Sequence, residues 1–71
     1  MNVLVVEDER NLSDVICRIM KENKFKYDAV YNGVDGYEYA SSGIYDVVIL
    51  DIMLPEMDGF EVVKRLRKEK N

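Results

Sequence analysis

Histidine and tryptophan are both missing from this 71-residue chain, and cysteine and proline occur once each. Without histidine there is no imidazole to ligate a metal, activate a nucleophile or switch charge near neutral pH. Cys17 alone cannot close an internal disulfide. Its place inside a helical pattern marks it as a small core residue or a flank, and one unpaired thiol fits a reducing compartment. No apolar run approaches the roughly 20 residues of a membrane span. No charged, then apolar, then small-residue leader opens the chain, so a cytoplasmic protein is expected. The net charge of −4 disfavours direct contact with nucleic acid. An apolar share of 48% with 34% charged residues is that of an ordinary globular protein. The length allows one domain, which at this size buries only about 60% of its unfolded surface and leans on a partner for stability.

What is present alternates in period. Residues 3–6, VLVV, form a wholly apolar, β-branched run, the signature of a strand buried on both faces. Leu12, Val15, Ile16, Ile19 and Met20 then recur at helical spacing, and Asn23-Lys24 closes that helix. A second strand is predicted over Lys26–Val30, and Asn32-Gly33 is a turn signal. Val34, Tyr37 and Ala40 give a weaker helical stripe ended by Ser41-Ser42-Gly43, and Asp46–Leu50 is the third strand. Asp58 with Glu61 resembles a capping box for a last helix. Phe60, Val63 and Leu66 make its apolar face, and Lys64, Arg65, Arg67, Lys68 and Lys70 its exposed basic end. The order βαβαβα implies an α/β protein with a parallel sheet, because right-handed crossovers set a helix between successive parallel strands.

Ligands of open α/β sheets bind beyond the carboxyl ends of the strands. The first strand ends at Glu7-Asp8 and the third at Asp51. If these strands are neighbours, three carboxylates converge, repel one another and call for a cation or a proton. Oxygen donors in a partly hydrated site suit Mg²⁺. A carboxylate beside such an ion can attack phosphorus and form an acyl phosphate. The plainer alternative is that each acid only caps the next helix, with Asp8 placed to cap residues 10–22. By the same standard Tyr37 and Tyr39 read as packing and surface, the basic end of the last helix as a solvated face, and Met53 and Met57 as filler.

VLVVEDE at the start, NG before the second helix and YDVVILDIMLPEMDGFEV in the middle closely resemble the receiver domain of two-component response regulators. The resemblance implies a flavodoxin-like fold with strand order 2-1-3 in this stretch, hence strands one and three side by side. It implies that Asp51 is the phospho-accepting residue. Asp8 would ligate Mg²⁺ directly, Glu7 through water, and Met53 through its backbone carbonyl, on a loop shaped by Pro55 and Gly59. It implies a sensor histidine kinase as phosphoryl donor. MLPEMDGFEVVKRLR looks most like the subfamily with a C-terminal winged-helix DNA-binding domain.

A receiver has about five strands and five helices over roughly 120 residues. Residues 1–71 are therefore expected to be its N-terminal part, without the last two βα units and their Ser/Thr, aromatic and Lys contributions. The VVIL strand would then be an exposed edge, for which a homodimer through paired third strands, or a domain swap, is expected. Two other readings compete. A self-associating structural subdomain without phosphoacceptor activity is one. The other, a phosphatase-like enzyme with an aspartyl nucleophile, needs a second acid two residues after it, where Met53 stands; the chain is not expected to be an enzyme.

Overall fold

The computed structural model describes residues 1–51 and 57–69. The elements run β1 (Asn2–Val6), α1 (Arg10–Glu22), β2 (Lys26–Val30), α2 (Gly33–Ala40), β3 (Val47–Leu50) and α3 (Gly59–Glu69). All three strands are parallel, in the order β2-β1-β3. This is the predicted receiver-like flavodoxin topology. Val6 stands opposite Val30 on one side and Leu50 on the other, so all three strands finish level.

β1 is the interior of the molecule. Val3, Leu4, Val5 and Val6 are all fully buried, each contributing roughly 1.5–3 kcal/mol of burial free energy. The alternation of a strand sends Leu4 and Val6 to one face, where they meet Val30, Ala40, Tyr45 and Leu50. Val3 and Val5 go to the other, against Cys17, Ile16, Met20, Phe25, Ala29 and Ile49. Cys17 is thus the small core residue that its helical position suggested. Among the described residues no helix is long and apolar enough to cross a membrane.

Two helices are rotated relative to their apolar stripes. In α1 the buried line is Ser13 and Cys17, flanked by Ile16 and Met20, while Leu12, Val15 and Ile19 face outward. In α3 Val62 is fully buried and Phe60 is 70% exposed. In α1 the inner positions are held by small residues, as packing against the strands leaves little volume there. The same holds for α2, whose buried residues are Gly33 and Gly36 and not the Val34-Tyr37-Ala40 stripe. A Cβ on Gly36 would stand 2.7 Å from Cγ1 of Val6, and one on Gly33 only 1.4 Å from the carbonyl oxygen of Met57.

The helix ends follow local chemistry. Glu9, not Asp8, is the N-cap of α1, its carboxylate accepting from the N–H groups of Asn11 (3.2 Å) and Leu12 (2.7 Å). Asn32 caps α2 by accepting from Asp35 N–H at 2.8 Å, so the Asn-Gly pair starts a helix rather than merely turning the chain. Asp58 accepts from Glu61 N–H at 2.9 Å, as the capping box required, while Glu61 turns its carboxylate to Arg65 at 3.5 Å. Asn23 ends α1 and Lys24 follows in the left-handed region, at φ 62°. α2 and α3 are tied by Glu69, which accepts from the hydroxyls of Tyr37 and Ser41.

Ala at position 36 would gain helix propensity but must displace Val6. Gly36→Ala is expected to lose about 1–3 kcal/mol in urea unfolding, because the contact is with a packed core side chain. Gly33→Ala meets backbone, which cannot give way, and is expected to lose more than Gly36→Ala in the same measurement.

Candidate functional site

The level strand ends create the site. Asp51 N–H donates to the carbonyl of Val6 at 3.0 Å, continuing the β1–β3 ladder one residue past β3. Glu7 N–H donates to the carbonyl of Val30 at 3.1 Å, continuing the ladder toward β2. Both acids are therefore fixed by the sheet's own hydrogen bonds. Because Glu9 takes over the capping of α1, the Asp8 carboxylate is left to the strand edge. One carboxylate oxygen from each of Glu7, Asp8 and Asp51 lies within 4.8 Å of the others.

The three acids differ in surroundings. Glu7 is buried, Asp51 half-buried and Asp8 exposed. The Glu7 carboxylate accepts from Glu9 N–H at 3.0 Å, which by itself favours ionisation. Burial, the nearby charge of Asp51 and hydrogen bonding with Asp51 and Asp8 together outweigh it, and hold the Glu7 carboxyl above its ordinary value of 4.5. Crowding by the neighbouring acids thus favours a proton on Glu7, and a cation in the cluster would oppose that effect.

The donor set fits a small hard divalent ion. Glu7, Asp8 and Asp51, with one carboxylate oxygen each within 4.8 Å of the others, would hold such an ion directly or with one of them acting through water. All donors are oxygen, and the exposed side at Asp8 leaves room for water. Met53 and Pro55, also named from the sequence, lie outside the described residues. Gly59 is the first, buried residue of α3.

Two features at this edge carried no sequence signal. Glu9 orients the loop through both its backbone N–H and its side chain, although glutamate is not a favoured cap. Arg10 places its guanidinium carbon 3.6 Å from the centroid of the Tyr31 ring, joining the start of α1 to the residue after β2.

The response regulator receiver domain family matches residues 3–71. The chain belongs to this family, and is a receiver domain of a two-component response regulator, a signalling domain rather than an enzyme. It is 43% identical over 68 residues to the transcriptional regulatory protein DltR of Streptococcus agalactiae, covering 96% of this chain and 30% of that protein. The chain thus spans about a third of the length of such relatives. Its fold is similar to the response regulator TrrA of Thermotoga maritima in complex with Mg²⁺ and BeF, with a TM-score of 0.89 and 38% identity, over 97% of this chain and 60% of that one. It is likewise similar to a structure of histidine kinase ThkA in complex with TrrA, with a TM-score of 0.86 and 37% identity, over 96% and 59% of the two chains.

The raised Glu7 carboxyl sets a pH dependence. A folded-state pKa above the unfolded one means that the proton on Glu7 stabilises the fold fully at low pH. That contribution is lost as pH rises through the raised value. In chelator-treated samples Glu7→Gln, which mimics the protonated acid, is expected to melt higher than the wild type at about pH 7 and level with it near pH 4. A difference that does not change with pH would contradict the buried, acid-crowded environment of Glu7.

Proposed function

We propose that Asp51 is the phosphoacceptor of a cytoplasmic signalling receiver, charged by a sensor histidine kinase, with Glu7, Asp8, Asp51 and the Met53 backbone carbonyl holding Mg²⁺. The observation that carries this reading is the convergence of three carboxylates on one strand edge, two of them fixed by ladder hydrogen bonds. An Asp51 carboxylate oxygen attacks phosphorus, the bond from phosphorus to the donor's imidazole nitrogen breaks, and its electron pair stays on the ring. The product is an acyl phosphate on Asp51. Bound Mg²⁺ would neutralise charge on the phosphoryl oxygens. Glu7, the buried member, orients the site through Glu9, while exposed Asp8 faces water and the incoming group. The Mg²⁺–BeF complex of TrrA and the kinase complex of TrrA support the ion and the donor by similarity.

In this reading residues 1–71 are the N-terminal part of a receiver, and the parent protein carries a winged-helix DNA-binding output. The coverage of 60% of TrrA and 30% of DltR supports that assignment. A homodimer through β3 is the accompanying proposal. Val47 and Val48 are exposed on an edge strand of the described sheet, which favours pairing with a second copy.

Incubation with Mg²⁺ and acetyl phosphate is expected to add one phosphoryl group by mass spectrometry to the wild type and none to Asp51→Asn. A wild type that stays unmodified while folded would leave the self-associating structural subdomain as the better reading. In sedimentation, the wild type is expected to run as a dimer at micromolar concentration and Val48→Lys as a monomer. A wild-type monomer would rule the β3 interface out.

A further inference from the structure

The Arg10 guanidinium is held against an aromatic ring at the strand edge that carries the acid cluster. Val30, Val6 and Leu50 stand in register, and Tyr31, Glu7 and Asp51 are the residues that follow them. With adjacent strands about 4.8 Å apart, these three span about 10 Å across the edge. Tyr31 is therefore the lateral neighbour of Glu7 on the side away from Asp51. Arg10, two residues after Asp8, has its guanidinium carbon 3.6 Å from the Tyr31 ring centroid. The aromatic face holds the cation by electrostatic attraction and restricts a long, otherwise mobile side chain. A positive charge thus sits at a fixed place on the β2 side of the strand edge that carries the cluster.

Resting on the phosphoacceptor reading, we infer that Arg10, held by Tyr31, is a positioning residue that draws small anionic phosphoryl donors to the site. The cluster repels an acyl phosphate, whose oxygens carry negative charge, and Arg10 offsets that repulsion on the β2 side. Guanidinium is suited to phosphate oxygens because its donors are planar and paired. The same charge opposes a divalent cation in the cluster. Removing it is therefore expected to slow phosphorylation without weakening Mg²⁺ binding, a pair of effects that loss of local structure does not produce. Among the described residues Arg10 forms no salt bridge, and its guanidinium lies over the tyrosine ring.

The test follows phosphorylation of the full chain by acetyl phosphate with saturating Mg²⁺, and Mg²⁺ binding alone by calorimetry. Arg10→Gln is expected to lower the second-order phosphorylation rate about threefold to tenfold at low salt, with the difference shrinking as salt is raised. It is expected to bind Mg²⁺ as tightly as the wild type or more tightly. Arg10→Lys retains most of the rate, and Tyr31→Leu, which frees the guanidinium, falls between. Equal rates for wild type and Arg10→Gln overturn the inference alone. So does weaker Mg²⁺ binding by Arg10→Gln, which would mark Arg10 as a structural prop. No adduct on the wild type overturns the phosphoacceptor reading, and this inference with it.

Discussion

The pairing of β1 between β2 and β3 is the interaction on which the rest of the molecule depends. Its four buried residues divide between two faces, and each face recruits its own helices. Its register with both neighbours makes the three strands stop together. The hydrogen bonds that continue the ladder, from Glu7 to Val30 and from Asp51 to Val6, belong to the fold and to the site at once. A slip of one residue would turn Leu4 and Val6 to the wrong face and separate the acids in the same stroke. Hydrophobic burial thus stabilises an arrangement of like charges that would not assemble by itself.

The electrostatic gradient along that edge follows from depth. Glu7 comes directly off the buried strand and shares its burial, Asp51 leaves a strand covered on one side only, and Asp8 is one residue further into water. Three carboxyl groups acquire different access to solvent in this way, and the buried one, Glu7, is held above its ordinary pKa. At the opposite edge the acids are managed differently. There Asp46 accepts from Asn2 N–H at 2.8 Å and Asp28 accepts from the Tyr45 hydroxyl at 2.6 Å, so each has its own neutral donor. Burial and this bond push Tyr45 up to about 12.

Strand positions, topology and the convergence of Glu7, Asp8 and Asp51 were legible in the sequence because they rest on period and spacing. VLVV declares a buried strand and VVIL a strand whose first two residues prove exposed, and a parallel βαβ order leaves few topologies. The faces of α1 and α3 were less legible. Hydrophobic spacing offers two adjacent stripes on each helix, and the choice between Leu12-Val15-Ile19 and Ser13-Cys17 depends on how closely the helix approaches the sheet. Glu9 was illegible for a related reason: a cap is decided by which side chain is free to turn back, and Asp8 was already committed to the strand edge. The Arg10–Tyr31 contact joins residues distant in sequence and has no periodic signature at all.

The meeting of Gly33 with the backbone of Met57 has a mechanical meaning. A Cβ at Gly33 would lie inside the Met57 carbonyl, so the two main chains rest directly on one another with no side chain between them. Side chains can rotate and absorb a displacement; two backbones in contact cannot. Any shift of Met57 is therefore passed directly to the first turn of α2. The absence of one methyl group thus couples Met57, just ahead of α3, directly to the start of α2.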